Sequence, residues 1–305
     1  MKKIKLLFLA MLIATTLVAC GDDSVDTAQN AGQNNNQQEN LDILDDNIIT
    51  DQKIVSLAPS ITEILVEFGF KDNIVGADYY SISDFNLTDV QEFDMMALNA
   101  ENIVTLKPDI IFLSDMSAGG GDDPLAVLSG MGIEIHSVAT PQSIDEIYTY
   151  IEFIGDCMDT SSDNLVSNLK AEIEEFRTIG DTITDKKTVL FEISAVPYIY
   201  SFGEGVYMHE MIEIIGATNV LADQTGWLPV EEESAIKLNP DVIVTNVNYL
   251  DDSVAEILGR IGWENVTAVQ NQDVYYIDNS ASSYGNHNII VAISELAKAI
   301  YPDFY

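Results

Sequence analysis

Two segments far apart in the chain repeat one pattern. Glu101-Asn-Ile-Val-Thr-Leu-Lys-Pro108-Asp109-Ile-Ile-Phe112 and Glu233-Ser-Ala-Ile-Lys-Leu-Asn-Pro240-Asp241-Val-Ile-Val244 coincide in register at Glu, Leu, Pro, Asp and one Ile. Each reads as a helix, a Pro-Asp turn that stops it, and a short strand apolar on both faces. Strand-helix alternation surrounds both copies. Before the first copy come the strand Lys53–Ala58, a helix opened by Pro59-Ser60 with Glu63 as a capping box, and the strand Asn73–Ala77. After it, Pro124–Met131 reads as helix and Ile133–Val138 as strand. The alternation resumes at Val189–Ile193 and runs to the C-terminus. Such a sequence closes a parallel sheet covered by helices, once in each half.

Between the halves the pattern changes. From Ser143 to Arg177 there is no Pro and one Gly, at 155. Apolar residues recur at helical spacing, from Ile144, Ile147 and Ile151 to Leu169, Ile173 and Phe176. This is one long helix, or two joined near Ser161-Ser162. Cys157 falls on its apolar face and reads as a small buried hydrophobe.

The N-terminus bears on location. Lys2, Lys3 and Lys5 precede an apolar run, Leu6–Val18, that is short for a membrane span. The run ends in Leu17-Val18-Ala19-Cys20-Gly21, which resembles the lipobox of bacterial lipoproteins. That resemblance implies cleavage before Cys20 and lipidation of its sulfur. From Gly21 to about Thr50 the chain is rich in Asp, Gln and Asn and has no aromatic residue. It reads as a disordered tether. The chain carries 13 Lys+Arg against 50 Asp+Glu, a net charge of -37. Without the three leader lysines, ten cations face the fifty acids. Such a surface repels nucleic acid.

Four segments, in order, carry a family resemblance: Lys53-Ile-Val-Ser-Leu-Ala-Pro-Ser-Ile-Thr-Glu-Ile-Leu-Val-Glu-Phe-Gly69, Leu106-Lys-Pro-Asp-Ile-Ile111, Leu238-Asn-Pro-Asp-Val-Ile-Val244 and Ala297-Lys-Ala-Ile-Tyr-Pro302. Together they resemble the iron-complex and cobalamin class of solute-binding lipoproteins of ABC importers. The resemblance implies an α/β fold of two Rossmann-like lobes with parallel sheets, joined by one long rigid helix. The expected organisation is a signal peptide (1–19), a tether (20–51), an N-terminal lobe (52–141), the linking helix (142–180) and a C-terminal lobe (181–305). It also implies an extracytoplasmic protein held to the membrane by its N-terminal lipid. Its partners would be a permease and its ATPase, with no nucleic acid, no cofactor and no catalysis. One glutamate per lobe, Glu101 and Glu233, would dock arginines of the permease, a two-point clamp that orients the complex.

The loops at the carboxyl ends of the strands contain no Lys or Arg but many aromatic and amide residues. Tyr79, Tyr80, Met96, Met116, Tyr200, Tyr207, Trp227, Asn248, Tyr284 and His287 are the candidate ligand contacts. Anionic siderophores and haem propionates want cations, so this cleft suits a bulky neutral or cationic ligand. A corrinoid (cobalamin or cobinamide) fits, as does a neutral or cationic iron complex. A haem or ferric-siderophore binder of the same class is the alternative, with Met96 and His209 or His287 as axial candidates. A bare-metal binder is the rival of another kind: three His are too scattered for zinc, while Tyr79, Tyr80, Tyr198 and Tyr200 could hold ferric ion. His136, at a strand end, reads as structural. Gly119-Gly120-Gly121 followed by Asp122-Asp123 matches no phosphate loop and reads as a flexible cleft edge. No nucleophile elbow or dinucleotide fingerprint is present.

Overall fold

The computed structural model describes residues 51–115, 125–128 and 130–305. The leader, Cys20, the tether, Met116 and the Gly119–Gly121 loop lie outside the described residues.

The first half alternates as expected. It runs β1 (Ile54–Leu57), α1 (Pro59–Glu67), β2 (Ile74–Asp78), α2 (Tyr79–Asp84), β3 (Gln91–Phe93), α3 (Ala100–Thr105), β4 (Ile110–Ser114) and β5 (Glu134–Val138). These strands form one sheet in the order β3-β2-β1-β4-β5, parallel throughout. The central strands β1 and β4 are buried on both faces, which is why they read as unbroken apolar runs. The expected helix from Pro124 to Met131 is, among the described residues, a single 3₁₀ turn at Ala126–Leu128.

Two helices follow, α4 (Ile144–Cys157) and α5 (Asp163–Gly180). The Ser143–Arg177 stretch thus takes the second of its two readings, with the break running from Met158 to Ser162. Asp159 adopts a left-handed conformation, φ 49°, and the Thr160 N–H bonds the Gly155 carbonyl at 3.0 Å. A Cβ on Gly155 would stand 3.0 Å from the Thr160 carbonyl oxygen, so this turn packs against glycine. Cys157 is half-buried and packs against the main core.

The second half contains β6 (Thr188–Glu192), β7 (Tyr200–Phe202), α6 (Tyr207–Ile214), β8 (Thr218–Asn219), β9 (Trp227–Pro229), α7 (Glu232–Leu238) and β10 (Val242–Thr245). It ends with α8 (Ser253–Leu258), α9 (Thr267–Asn271), β11 (Val274–Tyr276), α10 (Asn279–Ser283) and α11 (Ile289–Ile300). Its sheet, β11-β10-β6-β8, is also parallel. Strands β7 and β9 form a small antiparallel ribbon outside it.

The repeated sequence pattern has a repeated geometry. Lys107 and Asn239, each preceding the Pro, have φ of 52° and 49°. The Asp109 carboxylate accepts the Lys53 N–H at 2.8 Å, just before β1. The Asp241 carboxylate accepts the Thr188 N–H at 2.9 Å, at the start of β6. In each half the Pro-Asp turn therefore pins the entry of the neighbouring central strand. One apolar cluster runs from β1 and α1 through α4 and α5 to α6 and α11, so the halves share a core.

Candidate ligand cleft

Strands of both sheets deliver their carboxyl ends to a cavity of about 270 Å³. Pro59 follows β1, Tyr80 and Asp84 belong to α2 after β2, and Met95 follows β3. From the other half come Asn248, after β10, and Asn279, Ser280 and Tyr284, in or after α10. The placement obeys the rule for open parallel sheets, whose ligands lie beyond the carboxyl ends of strands. Of these eight residues only Asp84 is charged.

The two halves touch across the cleft. The Tyr284 hydroxyl donates to Asp84 Oδ2 at 2.5 Å, and Ser280 Oγ donates to the same oxygen at 3.2 Å. Burial first, and the bond to Asp84 second, push the Tyr284 phenol above its ordinary pKa, so it stays a donor. α2 itself is set by Asp78, which accepts the N–H groups of Tyr80 and Ser81 at 2.9 and 3.1 Å. Asp78 is 1% exposed, and burial pushes its carboxyl up against the opposing effect of its hydrogen bonds.

A second set of contacts joins the halves at α1. Ser60 and Glu63 do not form the expected capping box. The N-cap is Ala58, without a side-chain bond. The Ser60 hydroxyl pairs with that of Tyr150 at 2.9 Å. Glu63 accepts Asn286 Nδ2 at 2.7 Å and Asn288 Nδ2 at 2.5 Å, and Asn286 also donates to the Ser60 carbonyl at 3.2 Å. The side chain of Glu63 reaches across to the other half rather than back to its own helix. His287 sits among these groups, with Nε2 4.0 Å from Glu67 and Nδ1 without a hydrogen-bond partner. Burial, the largest cause, holds its pKa below the usual imidazole value despite Glu63 and Glu67.

The cavity gathers Tyr80, Asn248 and Tyr284 from the expected contacts. Tyr79 stands beside Tyr80, ring edge to face at 5.5 Å, and is 61% exposed. Met96 is exposed, and its neighbour Met95 lines the cavity. Tyr200 and Trp227 lie on the β7–β9 ribbon, where Trp227 meets Phe202 edge-on at 5.8 Å. Tyr207 is not a cleft wall. It is 1% exposed and donates its hydroxyl to the Ser282 carbonyl at 3.1 Å. Its ring lies 3.2 Å from where a Cβ on Gly285 would stand, and Gly285 has φ 59°. Tyr207 therefore supports the loop between α10 and α11 from beneath. His209 Nδ1 lies 3.3 Å from Asn219 Nδ2, and the His136 ring stacks on Phe112.

Sequence reading missed Asp84, Ser280, Asn279, Pro59 and Met95 as lining residues. The loops of all but Met95 are among the strand-end loops, but fifty acids give no sign of which one faces the cleft. Glu101 and Glu233 are each the second residue of their helix, α3 and α7, and both are exposed. Among the described residues, no group of three or more His, Cys, Asp and Glu converges as a metal site.

Residues 54–281 match the family described as "Periplasmic binding protein". The chain is 34% identical to the "Uncharacterized ABC transporter substrate-binding lipoprotein YvrC" of Bacillus subtilis, over 83% of this chain and 81% of that one. It is 27% identical to the "Vitamin B12-binding protein" of Vibrio cholerae, over 74% of this chain and 81% of that one. Among solved structures, "a possible iron-binding (periplasmic solute-binding) protein" of Staphylococcus epidermidis superposes with a TM-score of 0.72. It shares 29% identity and covers 82% of this chain and 98% of that one.

Proposed function

Because the chain belongs to the periplasmic binding protein family and is the substrate-binding protein of an ABC transporter, we propose that it captures a corrinoid or an iron complex between its lobes and delivers it to the permease. The observation that carries this reading is the composition of the cleft. Tyr80, Tyr284 and Met95 offer stacking and dispersion area, Asn248 and Asn279 offer amides, and no cation lines it. A polyanionic ligand there would leave its charge unpaired, which is costly. Corrinoids, with an apolar ring edge, peripheral amides and a net positive charge in their incomplete forms, match this chemistry. Neutral or cationic hydroxamate-iron complexes match it as well. A cavity of about 270 Å³ is smaller than a corrinoid, so that ligand requires the lobes to part at the Asp84 bridge. The relatives named for vitamin B12 and for iron support the class of ligand without choosing within it.

Further parts of the reading belong to the same proposal. Cys20 carries the lipid that anchors the protein outside the cytoplasm. Residues 52–141 and 181–305 act as two lobes about the segment 142–180. Glu101 and Glu233 dock the permease, one from each repeat. Their matching place at the start of α3 and α7 supports a paired role.

Calorimetric titration of residues 41–305 with cobinamide, cobalamin, haemin and a ferric hydroxamate tests the ligand. Tight binding of a corrinoid or of the hydroxamate is the expected result. Tight binding of haemin alone would overturn the charge argument and favour the haem alternative. Binding of free ferric ion alone would favour a bare-metal carrier.

A further inference from the structure

Asp84 ends α2 in the first lobe, and both hydroxyls that reach its Oδ2 belong to the second lobe. It is the single formal charge among the eight residues lining the cavity. Among the described residues it has no ion-pair partner. Arg260, the buried guanidinium of the second lobe, is consumed by Glu192 and Glu256. Asp84 is exposed, and it is neutral donors rather than a cation that hold its carboxylate, at the carboxyl end of a helix, where the backbone dipole adds to the negative potential. Both hydroxyls converge on Oδ2 rather than sharing the two oxygens. Asp84, Ser280 and Tyr284 all line the cavity, so a ligand that fills it meets this bridge.

We propose that Asp84 is the specificity-determining residue of the cleft: a ligand entering between the lobes replaces Tyr284 and Ser280 at its carboxylate, and a positively charged ligand is selected over its neutral counterpart. The inference rests on the ligand reading above for its choice of probes. The exchange follows from partial compensation. Two hydroxyls bond one oxygen of the carboxylate without bringing an opposite charge, whereas a cationic group brings both a donor and that charge. The same exchange releases one of the polar links between the lobes, the other being the Glu63 bonds to Asn286 and Asn288.

Two matched pairs of probes test this: diaquacobinamide against dicyanocobinamide, and ferrioxamine B against ferrioxamine E. Within each pair the scaffold is closely alike and the first member carries the greater positive charge. The wild-type protein should prefer the cationic member of whichever pair it binds by roughly tenfold, the scale of one partly screened charge pair at contact distance. Asp84→Asn should bring that ratio close to one. Tyr284→Phe should keep the ratio, because the carboxylate remains. An unchanged ratio in Asp84→Asn, or a wild-type preference for the neutral member, overturns the proposal. If none of the four probes binds, the ligand reading fails by itself, and the latch is decided in the protein alone. Spin labels on cysteines at Asn86→Cys and Asp251→Cys, in a Cys157→Ser background, report the distance across the cleft. A broader or longer distance distribution in Asp84→Ala and Tyr284→Phe upholds the latch at Asp84. Distributions identical to wild type refute it.

Discussion

Replacing Glu63 by alanine tests whether polar bonds between α1 and the second lobe fix the lobe geometry. Glu63 accepts two amides, Asn286 at 2.7 Å and Asn288 at 2.5 Å, and the Asn286 side chain is wholly buried. A hydrogen bond to a charged group contributes about 1.5–3 kcal/mol. Glu63→Ala removes two, but it also relieves the desolvation of a half-buried carboxylate, and Asn288, only partly buried, regains water. Asn286 keeps its bond to the Ser60 carbonyl at 3.2 Å. The net cost is therefore about 2–4 kcal/mol, below the sum of the two bonds. Urea unfolding, followed by the fluorescence of Trp227 and Trp263, should show a lower midpoint with an unchanged slope, since the surface exposed is the same. Hydrogen exchange at the start of α11 should quicken by a similar free energy. Small-angle scattering should show a wider spread of lobe separation than in wild type. A loss below about 0.5 kcal/mol, the ordinary scatter of surface substitutions, would mean that Glu63 does not hold the two asparagines in solution and that other contacts fix the lobes.

Four other outcomes follow from the same structure. Glu101→Ala combined with Glu233→Ala should abolish ligand uptake by cells while calorimetric affinity stays within about twofold; a large loss of affinity would show that these residues belong to the cleft rather than to docking. Trp227→Ala should weaken ligand binding several-fold through lost stacking area, although Trp227 stands on the ribbon and outside the cavity lining; an unchanged Kd removes it from the site. Arg260→Met leaves Glu192, 1% exposed, without its two bonds of 2.7 Å and should cost about 3–5 kcal/mol in chemical denaturation, with Glu192→Gln in the same chain restoring part of it; a cost under about 1 kcal/mol refutes the burial argument. For Asp78, burial raises the folded pKa above its unfolded value, so folding takes up protons in the carboxylate range. The stability of wild type relative to Asp78→Asn should then rise as pH falls through that range, and a difference that shrinks instead would reverse the sign assigned to Asp78.

The parallel sheets were legible because their central strands are buried on both faces. Burial of that kind writes itself as runs such as Ile54–Leu57 and Ile110–Leu113. The repeat was legible for a sharper reason. Lys107 and Asn239 must reach positive φ before a proline, and Asp109 and Asp241 must catch a strand that begins elsewhere in the chain. Such demands tolerate few sequences, so the two copies stay alike. The capping box at Ser60 and Glu63 was misread because local spacing offered a local partner, while Tyr150, Asn286 and Asn288 offered better ones from distant segments. Tyr207 was misread because a loop aromatic before a helix gives no sign of whether its ring faces a ligand or the underside of Gly285.

The charge of the cleft shows where sequence reasoning reaches and where it stops. Cations are few here, so their absence from the strand-end loops is plain in the sequence, and the cavity lining contains none. Carboxylates number fifty with Glu and Asp together, so their presence anywhere carries no information. Only topology, which folds α2 against α10, selects Asp84 from that excess and sets it opposite Tyr284 and Ser280. A property carried by scarce residues is therefore legible in this chain, and one carried by abundant residues is not. The lack of cations in the cavity lining follows from the residue types of the loops, whereas the place of Asp84 in that lining depends on the pairing of two segments 196 to 200 residues apart.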